Sequence, residues 1–362
     1  MKIFMYPLSP RSARFALPTT ASRASSKAGG LPAMLRKLPL PLLASLLLLG
    51  PASFAAVHAS PTAAPIRVTV AASGAADFRT IQQAIDHAPL EGPGRLIIAI
   101  QPGTYHERLV IPQDRPRVTL LGLGTAPSDT IITYNMSAAA AGGTFLSSTV
   151  DVEGAEFEAA NLTFENSYGK GSQAVALMLH SDRAVLRNCR FIGWQDTLYA
   201  ATGRQFFDHC YIEGAVDFVF GNARAVFQDC EIRSVGAGYI TAQSRTTPDA
   251  PTGFVFSRCR LTAAPNVQKV FLGRPWRPDA RVVFLDTEMG NHIDPAGWRE
   301  WHPGETHSLD TAYYAEFNPT GPGASRAARD SHTKFLTRAE AQAFEPKEFL
   351  ASPDGWDPTA AQ

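Results

Sequence analysis

The chain has 362 residues, 45% hydrophobic and 18% charged, an ordinary globular composition with enough apolar material for a substantial core. Basic and acidic residues number 33 each and no basic stripe is evident, which argues against nucleic acid as a partner. The four cysteines form no CxxC pair, and neither HxH nor HExxH occurs, so a zinc site is not indicated and no metal or cofactor is expected.

Residues 1–59 contain no Asp or Glu. Within them, Arg36 and Lys37 precede an apolar run of 12 residues, Leu38 to Leu49, followed by small residues that include Ser53-Phe54-Ala55 and Val57-His58-Ala59. This order of basic, apolar and small residues reads as a secretory signal. The run is too short for a membrane span and is interrupted by Pro39 and Pro41. Met34 directly precedes the unit and is the expected start, with 1–33 as upstream translation. A secreted protein, extracellular or periplasmic, follows, with no stable membrane association. Seven basic residues fall in 1–59, which leaves 26 against 33 acidic ones, a net charge of about −7. A polyanionic substrate then needs local positive charge at its site.

Asp77 to Ala88 places Ile81, Ala84, Ile85 and Ala88 at helical spacing. A helix here is expected to cover an open sheet edge. Further on, Gly122-Leu123-Gly124 has Pro127 where a dinucleotide fingerprint needs glycine, so it reads as a turn.

The middle of the chain repeats itself. Six segments share one alternation of apolar and polar residues: 157–164, 184–191, 205–212, 225–232, 253–261 and 282–289. One ladder position recurs as Leu162, Cys189, Cys210, Cys230, Cys259 and Thr287, at steps of 27, 21, 20, 29 and 28 residues. Short period-2 strands repeated at this length mean a solenoid whose coils share one core. The best fit is an all-β chain, a right-handed parallel β-helix. The cysteines then form an internal ladder, and the longer steps mark loops projecting from a coil to build a cleft.

Asp196 and Asp217 each stand seven residues after a cysteine of that ladder, in Gly193-Trp194-Gln195-Asp196-Thr197-Leu198 and Val216-Asp217-Phe218-Val219-Phe220-Gly221. On successive coils, about 4.7–4.9 Å apart, two carboxyls cannot both ionise easily. One is then a proton donor and the other a base or nucleophile. A plain Asp/Asn ladder satisfying turns is the competing explanation, and two aspartates in register inside apolar stretches weigh against it. Gln195 and Gln173 read either as a buried amide ladder or as donors to an oxyanion. Arg274, in Leu272-Gly273-Arg274-Pro275-Trp276, is either a surface turn residue or a guanidinium forked onto one carboxylate. Trp276, Phe220, Tyr199 and Trp194 offer aromatic surface for a sugar or for the core. No GxSxG elbow is present, and no histidine lies in the Asp-bearing segments, so a His-based triad lacks support.

Toward the C-terminus, residues 315–335 are rich in Gly, Pro, Ser and Asn and read as a meandering tail. Thr337 with Glu340 is a capping box that opens a short helix.

The set Gly103-Thr104-Tyr105-His106-Glu107, Gln173 to Leu177, Gly193 to Leu198, Val216 to Gly221 and Leu272 to Trp276 resembles the pectin methylesterases. The match covers about residues 66–350, with five motifs in the family order, inside a single expected domain over 60–362. The resemblance implies a right-handed parallel β-helix that hydrolyses methyl esters of galacturonate units in pectin, releasing methanol and pectate. It implies Asp217 as nucleophile, Asp196 as general acid/base, Gln195 and Gln173 as oxyanion donors and Arg274 as the residue orienting Asp217. It places Phe220 and Trp276 in the sugar groove, with Thr104 and Tyr199 as further groove residues. Bacterial members imply a Cys210–Cys230 disulfide. Methylated homogalacturonan is the implied partner, acted on by a monomer without cofactor. Arg224-Ala225 departs from the small residues the family often has there. The rivals are a glycosidase or lyase on the same scaffold, an esterase or thioesterase with another substrate, and a non-catalytic carbohydrate-binding solenoid. Carboxyls at about 5 Å also suit a retaining glycosidase, so spacing alone leaves the bond type open.

Overall fold

The computed structural model describes residues 64–89 and 94–360. The expected signal segment and start lie outside the described residues.

The chain winds as a parallel β-helix. Eleven strands stack in one sheet, from Ile66–Val70 at one end to Tyr313–Phe317 and Lys334–Phe335 at the other. A second, 13-stranded network covers two further faces. One face runs through Gly103–His106, Thr130–Tyr134, Thr163–Asn166 and Arg190–Ile192. The other runs through Leu109–Ile111, Val150–Val152, Leu177–Leu179 and Leu198–Ala200. The long strands Tyr211–Gly221 and Glu231–Gln243 pass from one face to the other, with register shifts where they turn. All named pairings are parallel, as a coil that always advances in one direction requires.

The observed register reproduces the repeat. Ala159 pairs with Leu186, Ala184 with Gln205, Gln205 with Ala225, Ala225 with Phe254 and Phe254 with Val282. These are the steps read from the sequence. The residue before each ladder position adopts left-handed backbone: Asn161, Asn188, His209, Asp229, Arg258 and Asp286 have φ between 46° and 56°. Four of the six are Asn or Asp, which tolerate this region best. That single left-handed residue turns each coil from the first sheet into the next strand.

Inside, side chains stack along the axis. Phe207, Phe227, Phe256 and Phe284 are fully buried and stack at 4.6–4.7 Å. Parallel rungs repeat every ~4.8 Å, so identical rings on successive coils meet face to face and bury apolar area continuously.

The cysteine ladder exists, but the Cys210–Cys230 disulfide does not: Cys189, Cys210, Cys230 and Cys259 are all free and buried. Adjacent rungs are close enough for a bridge. The sulfurs lie against backbone carbonyls as well as against one another, and remain thiols. Cys210 Sγ lies 3.4 Å from both Leu186 O and Asp208 O, and Cys230 Sγ donates to Gln228 O at 3.2 Å. Burial pushes the Cys189 and Cys230 thiols well up, so they stay protonated.

The ends are closed as expected, with one difference. Helix Ile81–His87 buries Ile81, Ala84 and Ile85 against the first coil. Its first turn is held by Glu107, whose carboxylate accepts from the amides of Ile81 and Gln82 at 3.0 Å. At the other end the Thr337–Glu340 capping box opens helix Arg338–Ala341. Part of the expected tail is strand: Tyr313–Phe317 continues the first sheet, pairing from Arg281↔Tyr313 to Leu285↔Phe317. The open edge of the last coil supplies pairing groups that outweigh the loop-like composition around Asn318 and Pro319. Phe349 and Leu350 then pack on the outer side of that sheet beside Phe206 and Val226.

Candidate active site

The site lies on the outer side of the face that contains Leu177–Leu179 and Leu198–Ala200. Strand alternation decides which residues face it. Leu198, Ala200 and Val219 enter the core, so Tyr199 and Phe220 point outward. Across this face Tyr199 pairs with Phe220, and Phe220 with Ala242. A cleft of about 230 Å³ opens here, lined by Thr144, Phe145, Gln173, Gln195, Asp196, Asp217, Phe220, Ala242, Arg274, Trp276 and Trp301.

Asp196 and Asp217 are stacked on successive coils. Gln195 pairs with Val216, and the Asp196 amide donates to Val216 O at 3.1 Å. Both aspartates have left-handed backbone, φ 62° and 50°, a conformation costly for most residues and held only where the surroundings over-determine it. Each also follows a glycine by three residues. A Cβ on Gly193 would meet Thr197 Oγ1 at 2.6 Å, and one on Gly214 would meet Phe218 Cβ at 2.2 Å. These two glycines let the chain fold tightly under each carboxyl. Asp196 is 9% exposed and Asp217 6%.

Arg274 separates the two aspartates electrically. Its Nε donates to Asp217 Oδ1 at 3.0 Å and its Nη2 to Oδ2 at 2.6 Å. Its Nη1 donates to Trp301 O at 3.0 Å. The guanidinium lies 4.0 Å from the ring centre of Tyr239 and 4.3 Å from that of Trp301, a sandwich that fixes its plane and favours its charge. The Asp217 ion pair holds Arg274 above its ordinary value despite burial. Asp196 receives no such fork. Burial pushes its carboxyl well above the usual carboxylate range, the Asp217 charge adds to this, and Arg274 opposes it. Burial also raises Asp217, while the hydrogen bonds and charge of Arg274 pull it back. Asp217 is therefore the carboxyl that ionises first. The neighbouring charge, anticipated as the cause of Asp196's protonation, ranks second to desolvation.

Gln173 and Gln195 are half-buried, and both line the cleft. The Ala174 amide donates to Gln195 O at 3.0 Å, which locks their coils together. Among the described residues neither side-chain amide has a hydrogen-bond partner within the protein, so both NH₂ groups are available to a ligand. Phe220 and Trp276 line the cleft with ring centres 5.9 Å apart. Tyr199 is outside the lining but backs it, stacked on Phe220 at 4.6 Å and on Phe145 at 4.9 Å. Trp194 is outside the lining, with Lys170 over its ring at 5.7 Å.

Thr104 is not brought to the cleft. It is exposed on Gly103–His106 and pairs with Ile131, on the other face of the coil. A different threonine, Thr144, takes a place in the lining. Thr144 and Phe145 belong to a short 3-10 turn, Thr144–Leu146, after Gly142-Gly143. The exposed Phe145-Leu146 pair, 44% and 58% accessible, is the one local hint of it. Tyr239 and Trp301, which hold Arg274, carry no local signal, because their role depends on which side chains of adjacent coils turn toward it.

The family model described as Pectinesterase matches residues 67–353. Pectinesterase 31 of Arabidopsis thaliana is 39% identical over 294 residues, covering 78% of this chain and 92% of that protein. The solved pectin methylesterase from carrot superposes with a TM-score of 0.75 at 38% identity, covering 81% of this chain and 95% of that one. A pectin methylesterase solved in complex with a hexasaccharide has a TM-score of 0.69 at 28% identity, covering 81% and 98%. The parallel coils, the stacked aspartates and these similarities converge on one conclusion: the chain belongs to the pectinesterase family.

Proposed function

We propose that the cleft hydrolyses methyl esters of galacturonate units in homogalacturonan, with Asp217 as nucleophile and Asp196 as general acid/base. The observation that carries the assignment of roles is the Arg274 fork on Asp217, absent from Asp196. An ionised carboxylate beside a protonated one is the arrangement that nucleophilic attack with leaving-group protonation needs.

A carboxylate oxygen of Asp217 attacks the ester carbonyl carbon. The electron pair moves to the carbonyl oxygen, which the Gln195 and Gln173 amides face and stabilise as an oxyanion. Collapse breaks the bond to the methoxy oxygen, and Asp196 gives it a proton, so methanol leaves. The acyl group remains on Asp217 as an anhydride. Asp196, now ionised, takes a proton from water, and the hydroxide attacks the acyl carbon. The product acid and the Asp217 carboxylate are released, and Asp196 is again protonated. Phe220 and Trp276 bear on the apolar faces of the sugar. The relative bound to a hexasaccharide supports an oligosaccharide as the occupant.

Residues 1–59 are further proposed to direct export, a reading supported by the apolar run after Arg36-Lys37. Pectin lies outside cells, which agrees with it.

The test is methanol release from methylated pectin by wild type and Asp217→Ala, with circular dichroism to verify the fold. Loss of methanol with the fold intact is expected. Near-normal turnover by the variant overturns the assignment. New reducing or unsaturated ends in place of methanol identify a glycosidase or a lyase.

A further inference from the structure

The row of outward side chains that forms the floor of the cleft continues past it. Ala242 pairs with Phe220, Phe220 with Tyr199, Tyr199 with Met178, Met178 with Asp151, and Asp151 with Val110. All point away from the core, because their strand neighbours Val150, Val152, Leu177, Leu179, Leu198 and Ala200 are fully buried inside it. Rungs are about 4.8 Å apart, so Asp151 lies roughly 14 Å from Phe220 along the row. The aromatic stack Phe220–Tyr199–Phe145 follows the same direction. A sugar chain seated on that stack is carried toward Asp151.

Asp151 is the one acid in an otherwise apolar row, and the mechanism makes no use of it. Its Oδ1 is buried with no hydrogen-bond partner in the protein. We propose that Asp151 is a specificity determinant for the reaction in this cleft: its carboxylate favours a methyl-esterified galacturonate over a free galacturonate at the position it faces. This rests on the reading of the cleft as a pectin methyl-ester site. A free galacturonate brings a like charge against Asp151, whereas its methyl ester is neutral.

The charged neighbours set when this operates. Burial and the Glu153 charge push the Asp151 carboxyl up to about 6, and Arg108 partly offsets them. Arg108 stands before Leu109–Ile111, with Nε donating to Ser148 O at 3.1 Å. His180, after Leu177–Leu179, is held toward its neutral form by burial and packs edge-on to Tyr199 at 5.8 Å. It therefore adds little charge near neutrality. Asp151 is neutral well below pH 6 and ionised well above it. Galacturonate carboxylates are ionised on both sides of that value, so only the protein's charge changes.

The experiment compares kcat/KM for methanol release from fully esterified oligogalacturonates and from oligomers carrying free galacturonates, at pH 5 and pH 7.5. Taking the ratio for one enzyme cancels the titration of the catalytic pair. For wild type the preference for full esterification should rise roughly fivefold to tenfold between the two pH values, the scale of a like-charge contact near a surface. Asp151→Asn, which keeps shape and removes the charge, should show a ratio independent of pH and close to the wild-type ratio at pH 5. Its turnover of the fully esterified oligomer should stay within about twofold of wild type. A variant with the wild-type ratio and pH dependence overturns the proposal, as does a wild-type ratio that does not change with pH. Absence of methanol from every substrate overturns the functional reading and this inference with it.

Discussion

Arg274 and Asp217 are 57 residues apart in the chain and joined by two side-chain hydrogen bonds, at 3.0 and 2.6 Å. This fork keeps a carboxylate charged in a site that burial would otherwise neutralise. Arg274→Met should lower kcat by at least about a hundredfold, the scale of losing a buried charge-assisted pair. It should also move the acid limb of the pH–rate profile to higher pH, because Arg274 holds the Asp217 value down. Arg274→Lys should restore little, since an ammonium cannot reproduce the planar fork. Steady-state kinetics across pH reads both effects. An unmoved acid limb in Arg274→Met contradicts the assigned role.

Gln195 and Gln173 are available to bond an oxyanion that exists only during reaction. Each single change to Ala should cost about 10²–10³ in kcat with little change in KM, as for other oxyanion donors. A pure KM effect places them in ground-state sugar binding instead.

Burial, and then the Asp217 charge, hold the Asp196 carboxyl well above the usual carboxylate range. A carboxyl raised above its unfolded value stabilises the fold most below the unfolded pKa, and that contribution is lost as pH rises through the folded one. Wild-type stability should therefore fall on going from acid toward neutral pH through this group. Asp196→Asn, which keeps a neutral side chain of the same size, should lose that component of the slope and melt higher at neutral pH, while losing turnover. Differential scanning calorimetry at several pH values tests this. A variant whose melting temperature falls in step with wild type as pH rises speaks against it.

Four free, buried thiols make a chemical prediction. A thiol reagent should titrate none of them in the native protein and all four in denaturant. A reducing agent should leave the melting temperature unchanged. Only two thiols titrating in denaturant, with a drop in melting temperature on reduction, restores the Cys210–Cys230 bridge.

The coil was legible because a solenoid writes its geometry into spacing. Strands pair with the next turn of the same chain, so the intervals between Cys189, Cys210, Cys230 and Cys259 are the register itself. The stacked aspartates were legible for the same reason. The caps at Ile81–His87 and Thr337–Glu340 depend on local apolar spacing and side-chain capping.

What escaped the sequence depends on which way a side chain turns, or on loops from distant coils. Adjacent cysteines imply proximity but not whether neighbouring sulfurs are bonded, and here they remain free thiols that also reach backbone carbonyls. Thr104 and Thr144 cannot be ranked until the faces of the coil are known. The Tyr239–Arg274–Trp301 sandwich joins successive coils, with Tyr239 paired to Phe271 and Gly273 to Trp298, but which rings flank Arg274 depends on side-chain direction. The sequence by itself determined the repeating coil and the stacking of Asp196 on Asp217, because both follow from a constant step along the chain. Only the tertiary structure decided that desolvation outranks the Asp217 charge in holding Asp196 protonated, and which loop residues close the cleft. Burial and non-repeating contacts arise only once all the coils are in place.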